Sequence, residues 1–301
     1  MSFVRTALGD IDPGLLGPTD YHEHLFQVTP LLPGDELDDE EASGQEAVSL
    51  AASGVIGAIV EATPIGLGQN PAGAARISRR ANLNVVLTTG AHRSAHYAED
   101  HWLRGLGDVE LAELFTDELT GPAVRAGILK AGIGYWSMDV FERRVLSGVA
   151  QAHVATGAPV MVHLEHGSAA HEVLDVLEDA GVSPDRVVLA HADRNPDPFL
   201  HLELVSRGCF LGYDGMARHR DWPDSSLVSL IAEVTAGGGG ERILVGGDVA
   251  RRTRYAAYGG MPGLAYLPNR FLPRLRAELG PETVQTILVS NAANLLAWSD
   301  S

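Results

Sequence analysis

Eight short apolar runs rich in β-forming residues, each followed by a segment long enough for a helix, predict a (β/α)8 barrel, or TIM barrel. Several runs are continuously apolar rather than alternating, as is typical of parallel strands that are covered on both faces. The 301 residues, 45% of them hydrophobic, are enough for one such barrel. We therefore expect an α/β protein with a single domain over residues 1–301.

The predicted elements follow one another along the whole chain. The strands lie near residues 15–19, 55–61, 85–89, 127–133, 159–164, 187–191, 209–214 and 243–248. Helical patterns cover residues 45–53, 72–82, 139–156, 168–180 and 225–236, and two more, 268–279 and 281–296, would close the barrel from outside. Long connections at residues 26–41, 91–107 and 249–268 follow strands one, three and eight, so they would open on the catalytic face of a barrel.

Composition excludes several classes of protein. The formal net charge of −17, from 39 acidic and 22 basic residues, repels polyanions and makes nucleic acid an unexpected partner. Cys209 is the only cysteine, so no internal disulfide is expected, and no apolar run approaches the roughly 20 residues that span a bilayer. Residues 1–12 lack the layout of a secretory signal. We expect a cytoplasmic protein that acts on a small molecule, without a membrane partner.

Lys130 is the only lysine of the chain, and it lies in the apolar run of residues 127–134. Arginine fills the other 21 basic positions, because the chain has 22 lysine and arginine residues in total. A lysine amine can lose its proton and react, whereas a guanidinium stays charged. The retained lysine therefore indicates a chemical role that arginine cannot fill.

Polar residues that can bind a metal or react end several predicted strands. His22 and His24 are two residues apart, so on an extended chain both imidazoles point to the same side. The later ones each end an apolar run: Lys130, His163, His191 and Asp248. A single histidine at a strand end is more often structural, but six such residues in barrel order would meet at the C-terminal mouth. The pattern predicts a metal site there.

This pattern resembles the phosphotriesterase family of the amidohydrolase superfamily. The shared features are His-x-His, a lysine after strand four, histidines after strands five and six, and an aspartate after strand eight. The similarity runs over about residues 17–296 and includes the stretches 21–26 (YHEHLF), 155–160 (ATGAPV) and 286–291 (TILVSN). The combination is specific, whereas a lone His-x-His would not be.

The resemblance implies a cofactor of two divalent metal ions, usually zinc, bridged by Lys130 after its amine is carboxylated by carbon dioxide. By that analogy His22, His24 and Asp248 hold one ion, and His163 and His191 hold the other. A hydroxide bridges both ions, and Asp248 takes its proton as it attacks. The residues are compatible with this, because a buried uncharged amine can react and a carbamate is a carboxylate-like ligand.

The loops must decide the substrate, because the family acts on phosphotriesters, lactones, carboxyl esters and some amides. Residues 248–255 and 258–263 are similar to the branch that hydrolyses phosphorylated sugar lactones. Gly215 follows the strand-seven Asp214, where phosphotriesterases and long-chain lactonases place a histidine or arginine. We therefore expect a metal-bridging hydroxide that attacks an anionic lactone. The alternatives are a phosphotriesterase or aryl esterase, an N-acyl amidase, and, from another class, a non-catalytic binding barrel.

Arginines on loops seven and eight would make a positive funnel for an anionic substrate in an acidic protein, unless they pair with surface carboxylates. The candidate substrate-binding residues are His92, Arg93, Tyr97, Arg220, Arg251, Arg252, Arg254 and Tyr255. Glu61 could orient Lys130 or a ligand histidine, and Asp193 could extend a proton relay from Asp248, or both could be structural. Barrels of the resembling family often associate as dimers, so a homodimer is one assembly that the resemblance leaves open.

Overall fold

The structure, a computed structural model, describes residues 2–121 and 123–299. The strands are β1 (Ser2–Thr6), β2 (Gly9–Ile11), β3 (Thr19–Glu23), β4 (Ala58–Glu61), β5 (Asn84–Gly90), β6 (Ile128–Ile133), β7 (Val160–Leu164), β8 (Val187–Ala190), β9 (Phe210–Tyr213), β10 (Ile243–Val245) and β11 (Ala297–Ser299). The helices are α1 (Glu40–Ala51), α2 (Pro71–Ala81), α3 (Asp108–Thr120), α4 (Val140–Thr156), α5 (Ala170–Asp179), α6 (Pro198–Ser206), α7 (Asp224–Val234), α8 (Leu272–Leu279), α9 (Pro281–Gln285) and α10 (Asn291–Leu296).

Strands β3 to β10 form one sheet in which each strand pairs in parallel with the next along the chain. Its two end strands come together where the backbone amide of Asp248, just after β10, donates to the carbonyl oxygen of His22 at 2.8 Å. The sheet is therefore nearly closed into a barrel with helices around it. The predicted (β/α)8 fold is confirmed.

Two apolar layers fill the molecule. An inner cluster lies inside the barrel and includes Val60, Ile128, Met161 and Val188, while a larger cluster lies between the strands and the helices. Because strand side chains alternate with a period of two, Lys130 shares the inner face with Ile128, and His163 shares it with Met161. The strands thus direct these polar groups into the barrel above an apolar floor.

Local sequence signals fix the ends of the helices. The carboxylate of Asp139 accepts from the backbone amide of Glu142 at 2.8 Å, and Glu142 accepts from the amide of Asp139 at 3.1 Å. This capping box starts α4, which ends at Gly157 in the left-handed conformation with φ of 76°. The observed α4 therefore matches the helix predicted over residues 139–156.

The first barrel strand differs from the prediction. Residues 13–15 form a short 3-10 turn with Leu15 70% exposed, and the strand is β3, not residues 15–19. The search for apolar runs does not detect β3, because its sequence, TDYHE, is mostly polar although every residue in it is buried. A strand that carries polar groups into a barrel interior lacks the hydrophobic signal on which the prediction depends.

Further elements were not predicted. Helices α3 and α6 lie in segments for which the sequence predicts no element, and β1 pairs antiparallel with both β2 and β11. Trp298 in β11 donates its indole N–H to the carbonyl oxygen of Gly127 at 2.9 Å, at the start of β6. This small sheet therefore lies at the N-terminal end of the barrel, opposite the mouth. In the part of the chain that is described, no helix is both long and apolar enough to cross a membrane.

Candidate active site

A cavity of about 380 Å³ opens at the C-terminal ends of the barrel strands. The barrel strands bring together all six residues of the predicted metal site, since each of them lines this cavity. Lys130, however, is the third of six residues in β6 and does not end that strand as the sequence predicts. The remaining wall consists of Gln27, Leu31, Leu32, His92, Arg93, His96, Glu165, Arg194, Arg218, Ala250, Arg251 and Arg254. The cavity is therefore rich in imidazole and guanidinium groups.

The first group of candidate ligands consists of His22, His24 and Asp248. Nε2 of His22 lies 3.7 Å, and Nε2 of His24 3.6 Å, from Oδ1 of Asp248. The three ligand atoms lie within 4.8 Å of one another, all on buried side chains. Nε2 of His22 has no hydrogen-bond partner among the described residues although it is buried. An uncompensated buried nitrogen beside a carboxylate fits a metal ion, because nitrogen and oxygen donors are usual ligands.

Lys130 is 1% exposed, and its amine donates to the carbonyl oxygen of Ala62 at 2.7 Å. Burial lowers the pKa of this amine to about 8, and the carboxylates of Asp248 and Glu61 oppose that shift. With this pKa about a tenth of the amine is uncharged at pH 7 and about half at pH 8, and the uncharged form is the one that can react with carbon dioxide.

The second group of candidate ligands consists of His163 and His191. Their ring centroids are 4.5 Å apart, and His191 lies 5.1 Å from the ring of His22. Nε2 of His163 lies 3.0 Å from Oε2 of Glu165, two residues further along the chain. The histidines of both groups thus face one another across the cavity.

Electrostatics keeps these groups in metal-binding protonation states. Burial lowers the pKa of His24 and of His163 well below the usual value, and that of His191 to about 4. Burial would raise the pKa of Asp248, but Arg218 and His22 outweigh it and hold that pKa well below its usual range. His24, His163 and His191 are therefore neutral and Asp248 is ionised at neutral pH.

Two of these residues adopt a backbone conformation that is uncommon for residues other than glycine. His191 has a φ of 64° and Asp248 a φ of 43°, both in the left-handed region. Such conformations cost roughly 1–3 kcal/mol each and concentrate at functional sites. His191 directly follows β8, and Asp248 lies three residues after the end of β10. At both positions the backbone turn directs the side chain into the cavity.

A family model for the phosphotriesterase family matches residues 2–296. The chain belongs to the phosphotriesterase family. Its relatives include the phospho-furanose lactonase of Mycoplasmopsis synoviae, 31% identical over 331 residues that cover 99% of this chain and 92% of the relative. The phospho-furanose lactonase of Mycoplasmopsis agalactiae is 29% identical over 326 residues, with 99% and 92% covered.

A solved structure supports the same relationship. The lactonase from Listeria monocytogenes superposes with a TM-score of 0.93 at 30% identity, covering 99% of this chain and 100% of that one. Members of the phosphotriesterase family are metal-dependent, and the chain has groups of His and Asp that could bind metal. Together with its lactonase relatives, this makes the protein a hydrolase that acts on ester bonds of a small-molecule substrate.

The predicted substrate-binding residues of this phosphotriesterase-family protein fall into two groups. His92, Arg93, Arg251 and Arg254 line the cavity. The other four do not: Arg220 is exposed, Arg252 lies 3.5 Å from Asp38, and Tyr97 and Tyr255 are buried behind the wall. The two tyrosine hydroxyls donate to the backbone carbonyls of Ile65 and His24, respectively. A molecule in the cavity would meet the first group directly.

Residues near the candidate metal ligands that the sequence does not indicate include Arg194, Arg218 and Asp214. Arg194 and Arg218 line the cavity and form ion pairs with Oδ2 of Asp248, at 3.0 Å for Arg194. Asp214 is fully buried behind His22 and His191. Asp214 follows an apolar strand directly, so the signal that selected Asp248 was present for it too. The two arginines lie on loops and carry no such local signal.

The two acidic residues whose roles were open occupy different positions. Glu61 accepts from the backbone amides of Leu25, Phe26 and Thr63, and burial raises its pKa to about 7. It therefore ties the end of β4 to the segment after β3, and in the described part of the chain it makes no hydrogen bond to Lys130.

Asp193 accepts from the backbone amide of Gly215 at 2.7 Å. A Cβ at position 215 would lie 2.5 Å from Oδ2 of Asp193, closer than real contacts allow. Glycine at this position thus permits the close approach of the loops after β8 and β9. The bond makes Asp193 a tie between these loops.

A second cavity, also of about 380 Å³, adjoins the first and shares Arg194 and Arg218 with it. Its other walls combine apolar residues, including Trp222, Leu227 and Leu230, with polar ones, including His166, Asp193 and Asp221. We call it the side cavity. It lies between the loops after β7, β8 and β9 and the start of α7.

Proposed function

We propose that the protein is a lactonase that uses two divalent metal ions, zinc in the simplest case, to hydrolyse a lactone with an anionic group. The observation that carries the proposal is that four candidate ligand histidines line one cavity with the only lysine, which is buried and has a lowered pKa. A buried amine beside four imidazoles is costly to keep without a function, because burial penalises the charged form. Its relatives named phospho-furanose lactonase support the choice of substrate.

The residues fit the proposed cofactor. His22, His24 and Asp248 would hold one ion, His163 and His191 the other, and Lys130 carboxylated on its amine would bridge them. When bound, the ions would supply Lewis acidity, which lowers the pKa of water and polarises a carbonyl oxygen. Lys130 is suited to carboxylation because its amine has lost most of its solvation, as its lowered pKa shows.

Asp248 is the proposed proton carrier of the reaction. As the water oxygen bonds to the lactone carbonyl carbon, the carboxylate accepts the proton of that water. The ring C–O bond then breaks, and Asp248 delivers the proton to the alkoxide oxygen, which gives a hydroxy acid. The low pKa of Asp248 keeps the carboxylate free to accept at neutral pH and favours the delivery, whereas acceptance would depend on bound metal ions that lower the pKa of the water.

His92 and three arginines are proposed to hold the substrate. Nδ1 of His92 accepts from the backbone amide of Arg93 at 2.8 Å, so a neutral His92 carries its proton on Nε2. That nitrogen can donate to a substrate oxygen. Arg93, Arg251 and Arg254 line the same cavity, and guanidinium groups bind phosphate or carboxylate in a bidentate manner. An anionic group on the lactone would meet this positive charge.

The proposal is tested with a substrate panel on zinc-loaded protein. It contains phosphorylated and neutral sugar lactones, an aryl phosphotriester, aryl carboxyl esters and N-acyl amino acids. We expect the highest kcat/KM for phosphorylated lactones. Turnover confined to phosphotriesters or to amides would overturn the lactonase assignment. Protein that binds no metal, and gains no hydrolysis from added metal, would favour a binding barrel instead.

A further inference from the structure

Asp214, the residue directly after β9, contacts one histidine from each proposed metal site. Its Oδ1 lies 2.6 Å from Nδ1 of His191, and its Oδ2 lies 3.2 Å from Nδ1 of His22. The hydroxyl of Tyr21 donates to Oδ2 as well. All four side chains are at most 2% exposed. One carboxylate thus links residues from β3 and from the end of β8.

The hydrogen bonds fix which nitrogen of each ring is free. An ionised carboxylate only accepts hydrogen bonds, so both Nδ1 atoms must carry the proton. A neutral ring with its proton on Nδ1 has a free electron pair on Nε2. Nε2 of His22 is buried without a partner in the described part of the protein. Asp214 therefore sets both rings in the tautomer that can bind a metal through Nε2.

The other ligand histidines do not share a partner in this way. Nδ1 of His24 lies 2.7 Å from the hydroxyl of Thr63, which itself donates to the carbonyl oxygen of Phe26. Nε2 of His163 contacts Glu165. Among the described hydrogen bonds, Asp214 is thus the acceptor common to two ligand histidines.

The packing around Asp214 restricts rotation of its carboxylate, so that it bonds both rings at once. Gly212 precedes it by two residues on β9, and a Cβ there would collide with the hydroxyl of Tyr21. The glycine therefore allows Tyr21 to reach the carboxylate from β3. Held by three partners, the carboxylate cannot turn toward one histidine without losing its bond to another.

We propose that Asp214 is a positioning residue that couples the two metal sites. This inference rests on the proposed function, which assigns His22 to one site and His191 to the other. An ion bound to His22 fixes that ring and with it the carboxylate. His191 is then already oriented for the second ion, so the second ion pays less ordering entropy. The two sites should fill together rather than one after the other.

Asp214→Asn tests the coupling. The amide has the same shape, but its oxygen can accept from only one ring, and its NH2 group must face the other. That other ring must move its proton to Nε2, where it blocks a ligand. Partners of metal-binding histidines typically contribute about 10–100-fold in affinity. We therefore expect one tight site to remain and the other to weaken by that factor.

The measurement is a Zn²⁺ titration of metal-free full-length protein against a chromophoric chelator. Wild type should bind two ions in closely spaced steps, and Asp214→Asn should bind one ion tightly and the second weakly. Asp193→Asn is the matched control, because Asp193 is a buried carboxylate that bonds the Gly215 amide instead of a ligand histidine. It should keep two closely spaced steps. Two steps of wild-type affinity in Asp214→Asn would overturn the coupling.

Long-range ¹H–¹⁵N spectra of the metal-free wild type give a readout that needs no variant and no activity. His22 and His191 should both carry the proton on Nδ1. A proton on Nε2 of either ring would overturn the role of Asp214, even if the variant failed to fold. Wild type that binds no Zn²⁺ would instead overturn the proposed function, and the coupling with it, while the tautomers would still report on the Asp214 hydrogen bonds.

Discussion

The amine of Lys130 in β6 donates at 2.7 Å to the carbonyl oxygen of Ala62, which follows β4, so the only lysine of the chain contacts a backbone acceptor two strands away. No described carboxylate lies within ion-pair distance of the amine. A buried ammonium with a single neutral acceptor is poorly stabilised. This environment lowers the pKa of the amine, so that more of it is uncharged and able to react with carbon dioxide.

Replacing this lysine should remove the bridge between the proposed metal ions. Lys130→Ala should bind fewer zinc ions than wild type and lose most lactone hydrolysis, because the remaining histidines would lack a shared anionic ligand. A short carboxylate such as acetate or propionate should restore part of both. Elemental analysis and lactone assays with and without the acid check this. Wild-type zinc content in the variant would contradict the bridging role.

The assembly of the site should depend on pH through Lys130. Only the uncharged amine reacts with carbon dioxide, and the pKa of the amine is about 8. At fixed dissolved carbon dioxide and saturating zinc, the rate of reactivation of metal-free protein should rise about tenfold per pH unit below this pKa and level off above it. The rate is followed by lactone hydrolysis. A rate that is flat or falls with rising pH would argue against carboxylation of this amine.

The cavity arginines should determine affinity for an anionic group. Arg254→Ala should raise KM for a phosphorylated lactone by about tenfold or more, since a hydrogen bond to a charged group contributes roughly 1.5–3 kcal/mol. KM for the matching neutral lactone should change little. Arg252→Ala is the control, because Arg252 lies outside the cavity beside Asp38. An equal effect on both lactones would remove Arg254 from anion recognition.

The side cavity should accept bulky substituents of an ester. Ser226 lies in its wall, whereas the neighbouring Ser225 on α7 is exposed and outside it. Ser226→Phe should raise KM several-fold for esters with a large apolar substituent and leave small lactones unaffected. Ser225→Phe should change neither. If both variants lower activity alike, perturbation of the helix rather than filling of the cavity is the cause.

Much of the fold could be predicted because its signals are local. Continuous apolar runs identify parallel strands such as β6 and β7, and a capping box identifies α4. The prediction failed at β3, where the buried side chains are polar, and at β1, which pairs with β11 from the far end of the chain. The residues of β3 do not by themselves show that the strand is buried, and the residues of β1 do not show that it pairs with β11.

By itself, the sequence determined the fold and the set of strand-end residues, because strand periodicity and barrel order place such residues at one mouth. Only the tertiary structure decided what surrounds them. Asp214 meets His22 across 192 positions of sequence, and Arg194 meets Asp248 across 54. Loop conformation likewise put Arg254 in the cavity and left Arg220 outside it. Such contacts depend on how separate segments pack, which no local pattern of residues specifies.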